Sequence, residues 1–291
     1  VTLFPLLISA LLVPVAATGQ PRAVEMAAVT WSDRFEGFGS YSGLMLSDDG
    51  TRFVAVSDKG GFVVGELVRD NGQLTDIRLK DEGPLLGLDG QPVTRFDVDA
   101  EGLTLTAEGT LLVSFEANHR VWAYEDLAKP ARALPRHIAK DRLQNNSSLE
   151  ALFTGPDGAI YTIPERSGRW ARPFPIHRLK DGRWDIPFTL PRSGRFLVTG
   201  ADMGPDGRLY VLERDFRQFS GFGIRIRRFD WGADGPSGGV TLLETEPGTY
   251  DNLEGIVAWA DAAGHIRLTT ISDDNNSFFQ RTQVVEFVVN D

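Results

Sequence analysis

The sequence predicts an all-β chain folded as a single β-propeller of four-stranded blades, and three observations carry that prediction. One pattern recurs five times: an apolar segment, a turn at Asp-Gly or a close variant, then an alternating apolar strand closing on Asp or Glu. The turn glycines, at positions 50, 109, 158, 207 and 264, are 59, 49, 49 and 57 residues apart, the length of a four-stranded blade and too long for a helical hairpin. Residues 23–30 read as a strand with no hairpin mate, and residues 283–289 as a third strand lacking a fourth. Pairing the first with the last closes a ring and removes two exposed edges.

The elements follow in order. The first repeat runs from Ser42-Gly43-Leu44 through Asp49-Gly50 to Asp58, with a third strand at residues 62–68. The second runs from Glu101-Gly102-Leu103 through Glu108-Gly109 to Glu116, with a third strand at 120–124. The third runs from Glu150-Ala151-Leu152 through Asp157-Gly158 to Glu165, with a third strand at 174–179. The fourth runs from Ala201-Asp202-Met203 through Asp206-Gly207 to Glu213, with a third strand at 224–229. The fifth runs from Glu254-Gly255-Ile256 through Ala263-Gly264 to Asp273. Five repeats are visible, and six blades stay open if residues 80–98 or 229–241 contain another. Residues 127–142 hold at most a turn or two of helix.

At 291 residues with 42% hydrophobic content the chain can bury a sizeable core, and 31 Gly and 16 Pro suit a fold of tight turns. Residues 1–17 are an apolar run with small residues at the end, interrupted by Pro5 and Pro14 and too short for a comfortable membrane span. They predict a secretory signal peptide over residues 1–19, a propeller domain over 20–291, and a periplasmic or secreted protein with no stable membrane insertion once the signal is cut. The absence of cysteine excludes disulfides, thiolate catalysis and Cys-ligated metals. A net charge of −10 argues against nucleic acid as a partner, while local Arg and Lys still admit a small anion. Oligomeric state is not legible.

In an antiparallel hairpin, the start of the first strand and the end of the second lie at the same end. Glu101, Glu150 and Glu254 open first strands, while Asp58, Glu116, Glu165, Glu213 and Asp273 close second strands, so all eight are expected on one face of the disc. The string Asp97-Val98-Asp99-Ala100-Glu101-Gly102, with Glu108 at the twelfth position, mimics an EF-hand loop. Its strand-like flanks argue against that motif, yet alternate residues 97, 99 and 101 still point one way. Asn146, Ser148 and Glu150, and Asn252 and Glu254, fill comparable positions. Mixed oxygen ligands with no Cys and only four His suit Ca²⁺, then Mg²⁺, over Zn²⁺. Like charges about 4 Å apart cost on the order of 4 kcal/mol at an effective dielectric near 20, so such a ring needs cations or raised pKa values. Lys59, Arg166 and Arg214 each follow an acid, His119-Arg120 trail Glu116, and Arg281 follows residues 273–276. They read either as an inter-blade ion-pair network or as a grip on an oxyanion such as phosphate. Gly235-Pro236-Ser237-Gly238-Gly239 fits G-x-S-x-G but lacks the strand before and helix after that a nucleophile elbow needs.

The strings Ser42-Gly-Leu, Ser57-Asp-Lys-Gly-Gly, Asp99-Ala-Glu-Gly-Leu, Leu149-Glu-Ala-Leu, Arg172-Pro-Phe-Pro, Gly200-Ala-Asp-Met-Gly-Pro-Asp-Gly and Asp251-Asn-Leu-Glu-Gly-Ile resemble the bacterial phytase-like propeller family over roughly residues 30–289. That resemblance implies an esterase-like activity and nominates Glu101, Glu150, Glu254, Asp58 and Asp273 as the acidic set. The Asp-Asp-Pro-Ala-Ile strings of alkaline propeller phytases are absent, so it does not point to phytate itself. The function expected is a secreted Ca²⁺-dependent phosphoester hydrolase acting on a small anionic substrate. Its metal ligands are drawn from Glu101, Glu150, Glu254, Asp99, Asn252 and Asp58, and its catalytic carboxylates from Asp273, Glu213 and Glu165. Lys59, His119, Arg120, Arg166, Arg214 and Arg281 bind substrate. The alternatives are a lactonase-type propeller using Glu254, Asn252 and Asp273, and a Ca²⁺-stabilised binding propeller with no reaction.

Overall fold

A computed structural model describes residues 19–94, 98–116, 118–137 and 149–291. The signal-peptide expectation, Asp97, Asn146 and Ser148 lie outside the described residues. The first strand, β1 (Arg22–Trp31), belongs to the last blade. Blade one comprises β2 (Tyr41–Leu46), β3 (Arg52–Ser57), β4 (Gly61–Asp70) and β5 (Gln73–Pro84). Blade two comprises β6 (Ala100–Leu105), β7 (Leu111–Phe115), β8 (Arg120–Tyr124) and β9 (Arg132–Ala133). Blade three comprises β10 (Ala151–Thr154), β11 (Ile160–Ile163), β12 (Phe174–Lys180) and β13 (Arg183–Leu190). Blade four comprises β14 (Leu197–Met203), β15 (Arg208–Arg217), β16 (Gly221–Gly232) and β17 (Gly235–Glu244). Blade five comprises β18 (Asn252–Ala260), β19 (Ile266–Asp273) and β20 (Thr282–Asn290), with β1 as its fourth strand.

Each blade is a consecutive antiparallel meander, and β1 pairs with β20 from Arg22 opposite Asn290 to Trp31 opposite Thr282. The ring is therefore closed by its two ends, as the unpaired terminal strands predict. The segments left open for a sixth blade are accounted for otherwise. Residues 73–84 form β5 and residues 235–244 form β17, each the fourth strand of its own blade, so the blades number five. No helix occurs among the described residues, including the described part of 127–142.

The first strands β2, β6, β10, β14 and β18 pack side by side around the axis, β18 against β2 completing the circle. Burial falls outward: β18 and β19 are buried almost throughout, whereas β5 buries only Leu74 and Ile77 among charged neighbours. Strand pleating sends alternate side chains into the two flanking interfaces. On β15, Leu209 and Val211 join a core with Phe153 and Tyr161 of blade three, while Tyr210 and Leu212 join one with Leu253 and Phe287 of blade five. The other interfaces are filled in the same way. Val56 and Phe62 meet Leu103 and Phe115, Leu112 and Val121 meet Leu152 and Ile160, and Tyr41 and Phe53 meet Trp31, Val257 and Ile271. The stability of the ring is thus distributed over five inter-blade cores.

The five turn glycines all have positive φ, from 68° at Gly50 to 84° at Gly109. Each donates its N–H to a carbonyl three residues earlier, as Gly50 does to Ser47 at 2.7 Å, so these turns are structural hairpin tips. Near the axis a different glycine matters. A Cβ on Gly200 would lie 2.4 Å from the Glu254 carbonyl oxygen, and one on Gly102 2.7 Å from that of Glu150. These positions let adjacent first strands touch backbone to backbone, which draws the residue just before each glycine close to the axis.

A carboxylate ring at one end of the propeller axis

At this position the five first strands carry Ser42, Glu101, Glu150, Thr199 and Glu254, each followed by glycine except Glu150, which precedes Ala151. Four of them sit at register irregularities, between Tyr41 and Gly43, Ala100 and Leu103, Val198 and Gly200, and Leu253 and Gly255. Glu150 immediately precedes β10. A bulge re-aims a side chain that regular pleating would send into the inter-blade core. The repeat thus places three carboxylates and two hydroxyls around the axis.

The second strands supply an outer set. Each turn closes with a first-strand N–H donated to the carbonyl of Arg52, Thr110, Ala159, Arg208 or His265. Six residues beyond the first four, and eight beyond the last, stand Asp58, Glu116, Glu165, Arg214 and Asp273. The even spacing keeps all five on one side of their strands. Pairing agrees: Asp58 N donates to Ser40 O, Glu116 N donates to Asp99 O, Arg214 lies opposite Leu197 and Asp273 opposite Asn252.

This register corrects the expectation for the fourth repeat. Its position on the ring is taken by Arg214, and Glu213, one residue earlier, faces the opposite way. Glu213 is fully buried and engaged by Arg225 Nε at 2.7 Å and by Arg227 Nε and Nη2 at 2.8 and 2.6 Å. Seven of the eight acids gather at this end, and the eighth is saturated inside its own blade. The counterpart of Glu101 in this blade is Thr199, two residues before the Ala201 that opens the fourth repeat, and it donates to the Leu253 carbonyl at 3.2 Å. Asp202 accepts from the N–H of Ala258, joining blades four and five, and burial pushes its carboxyl up to about 7.

Arg214 crosses the ring. Its Nη1 donates to Asn252 Oδ1 at 2.6 Å and to Glu254 Oε1, and its Nη2 donates to Glu165 Oε1 at 3.1 Å. Burial alone would lower its pKa, but the carboxylates of Glu254, Glu165 and Glu150 overcome that and hold it firmly protonated. Asn252 Nδ2 in turn donates to Glu254 Oε1 at 2.7 Å and to Asp273 Oδ2 at 3.3 Å. Two expected metal ligands, Asn252 and Glu254, are therefore held by a protein cation.

Toward blade two, oxygen atoms of Asp99, Glu101 and Glu116 all lie within 4.8 Å of one another. Oxygens bound to one Ca²⁺ at 2.3–2.6 Å are at most about 4.6–5.2 Å apart, whereas around Mg²⁺ the limit is about 4.2 Å. The all-oxygen donor set is the chemistry of a hard divalent cation, and a spread of at most 4.8 Å is within what one Ca²⁺ can span. Burial, then the charges of Glu254, Glu116 and Asp99, pushes the Glu101 carboxyl well up. Burial and the charges of Glu101 and Glu116 do the same for Glu150. Asp58 is pushed up to about 6 by burial and by Glu254, and its Oδ1 is buried with no hydrogen-bond partner among the described residues. Asp273 rises to about 7, again by burial and Glu254, although its Oδ1 accepts the Asn275 N–H at 2.6 Å.

The remaining expected residues are spread around this end. Lys59 Nζ donates to the Phe38 carbonyl at 3.0 Å and to Asn276 at 3.4 Å. Arg166 Nε donates to Glu165 at 3.2 Å, and Arg281 Nε to Asp251 at 3.3 Å. His119 is buried, and the Arg120 guanidinium lies 4.0 Å above the Phe115 ring and 4.1 Å above that of Trp122. A cleft of about 810 Å³ opens beside the ring between blades four and five. Glu165, Arg166, Arg214 and Arg281 line it together with Phe216, Phe219, Phe222, Tyr250 and Phe279, aromatic residues that no repeat pattern singles out.

Comparison with known proteins agrees with the architecture. The phytase-like family, described as having the esterase-like activity of phytase, matches residues 36–276. No curated protein matches the sequence. Among solved structures, the α-L-arabinofuranosidase of Podospora anserina is similar at 12% identity and a TM-score of 0.55, over 94% of this chain and 98% of that one. An exo-β-1,3-galactanase from Clostridium thermocellum gives 11% identity and a TM-score of 0.60 over 91% of this chain and 63% of its own. A protein of unknown function from Dyadobacter fermentans gives 11% and 0.52, over 90% and 79%. At such identities the likeness is one of fold.

Proposed function

The chain belongs to the phytase-like family, and on that footing we propose that it is a periplasmic or secreted, calcium-dependent hydrolase of phosphoesters. The observation that carries the reading is the cluster of Asp99, Glu101 and Glu116, whose oxygens lie within 4.8 Å, at one end of an axis that also presents Arg214 to an open cleft. Asp99, Glu101 and Glu116 would hold the cation, with the unpartnered Oδ1 of Asp58 and the Glu150 carboxylate as further donors. Bound there, calcium supplies charge that polarises a phosphoryl oxygen and acidifies a water.

The chain's own groups do the rest. Arg166, Arg214 and Arg281, all lining the cleft, offer N–H donors to the anionic oxygens of the substrate. Glu165, engaged by both Arg166 and Arg214, positions those guanidinium groups. Hydrolysis joins a water oxygen to phosphorus, breaks the bond from phosphorus to the leaving oxygen, and returns one proton to that oxygen. Asp273, with its carboxyl near 7 and oriented by Asn275 and Asn252, is suited to hold or release that proton at neutral pH.

The test is phosphate or alcohol release from phosphomonoesters, phosphodiesters and lactones, with calcium and with chelator. Calcium-dependent turnover of a phosphoester, lost in Glu101→Gln, is expected. The contiguous set Asn252, Glu254 and Asp273 favours a second reading, lactone hydrolysis, and turnover of lactones alone would select it. No turnover on any class would retire both.

A further inference from the structure

The described residues include eight exposed large hydrophobic side chains, and three of them, Phe216, Phe219 and Phe279, line one cleft, with Phe278 beside Phe279. Phe219 sits in the β15–β16 turn, and Phe278 and Phe279 in the β19–β20 connection. They are 95%, 97% and 90% exposed, and the last two rings stand edge to face with centroids 5.8 Å apart. Phe216, Phe219 and Phe279 line the same 810 Å³ cleft as Arg166, Arg214 and Arg281. Apolar rings are normally taken out of water, and a contiguous exposed group of them beside a polar pocket marks a binding surface.

The one cleft thus presents guanidinium groups, Arg214 among them beside the carboxylate ring, together with exposed aromatic rings. We propose that the substrate is an aryl phosphoester, or another phosphoester with a flat apolar group. The anionic phosphate faces Arg166, Arg214 and Arg281, and the apolar group lies against Phe219 and Phe279. This inference rests on the phosphoester reading of the same site. A hydrophilic polyol phosphate would satisfy the arginines and leave the rings in water, whereas a planar apolar group removes their faces from solvent together with its own. Rings on two opposing loops bind such a group by stacking or edge contact without hydrogen-bond readout, so selection rests on flatness and polarity.

The test uses probes that cannot be hydrolysed. Phenylphosphonate and methylphosphonate are titrated calorimetrically, in calcium, into the wild type and the double variant Phe219→Ala/Phe279→Ala. Both side chains are at least 90% exposed, so their removal leaves the fold intact. The wild type is expected to bind phenylphosphonate about tenfold more tightly than methylphosphonate, and the variant to lose most of that preference while retaining its affinity for methylphosphonate. Equal affinities in the wild type, no binding of phenylphosphonate, or a preference that survives in the variant would overturn the inference. So would binding to phosphatidylglycerol vesicles without preference for the aryl probe, which would assign the rings to a lipid surface. Aryl preference without turnover of any phosphoester would retire the hydrolase reading and leave this one standing. Turnover without aryl preference would do the reverse.

Discussion

Arg214→Met deletes the cation that holds Glu165, Glu254 and Asn252 together while keeping an unbranched side chain that still fills the space. The Arg214 side chain is 19% exposed and those of Glu165 and Glu254 6% each, so the interaction is largely withdrawn from water. Removing one member of a buried ion pair costs about 3–5 kcal/mol, because the surviving charges stay buried. For a domain of this size each kcal/mol moves the melting temperature by roughly 2–4 °C, giving an expected drop of about 10 °C. Thermal melts at pH 7.5 in chelator measure it directly. Added calcium should restore part of the loss, since the ring then gains a cation where the protein has lost one. Glu213→Gln provides the contrast: it strips Arg225 and Arg227 of their partner at comparable cost, but calcium should not rescue it, because Glu213 faces away from the ring. A variant at position 214 that melts within about 2 °C of the wild type, or equal calcium rescue of both variants, would refute the assignment of Arg214 to the ring.

Further expectations concern charge and backbone. Glu101→Gln should weaken calcium binding at least about tenfold by calorimetry. In chelator at pH 8 the same change should raise the melting temperature, because it removes a charge that burial and Glu254 already disfavour. In chelator, wild-type stability should fall as pH rises from about 4 through 7. The unfolded carboxyls lose their protons near 4, whereas folded Asp58 and Asp273 keep theirs to about 6 and 7, so over that window the native state binds more protons. Melts from pH 4 to 8 read this out, and stability rising with pH would contradict the shifts. Gly200→Ala should destabilise by about 1–3 kcal/mol in denaturant titrations, since its Cβ would meet the Glu254 carbonyl at 2.4 Å. Deleting residues 19–31 removes β1, exposes the β20 edge and should give an aggregating chain by size-exclusion chromatography.

The propeller was legible because its signals are local and repeated. Turn glycines with positive φ recur at blade spacing, and alternating strands face an interface on each side. Blade number was open only because fourth strands such as β5 carry Asp76, Arg78, Lys80, Asp81 and Glu82 and look like loop; an outer strand has one face in water and need not alternate cleanly. Most of the carboxylate ring could be read from hairpin geometry. The fourth blade could not be read from residue type, because Glu213 and Arg214 are adjacent and a single step along a strand reverses the side chain's direction. Counting from the turn would have found it: Arg214 is seven residues past Gly207, as Glu116 is past Gly109 and Glu165 past Gly158. The aromatic cleft carried no signal of that kind. Phe216, Phe219 and Phe279 come from two blades, and only the packing of blade four against blade five brings their loops together.

The claim that the cluster of Asp99, Glu101 and Glu116 is a calcium site is tested most directly by a crystal structure grown in millimolar calcium. The expected result is one strong density peak among the three side chains, at about 2.3–2.6 Å from an oxygen of each. A calcium ion bound elsewhere, with these carboxylates bonded only to protein groups, would contradict it.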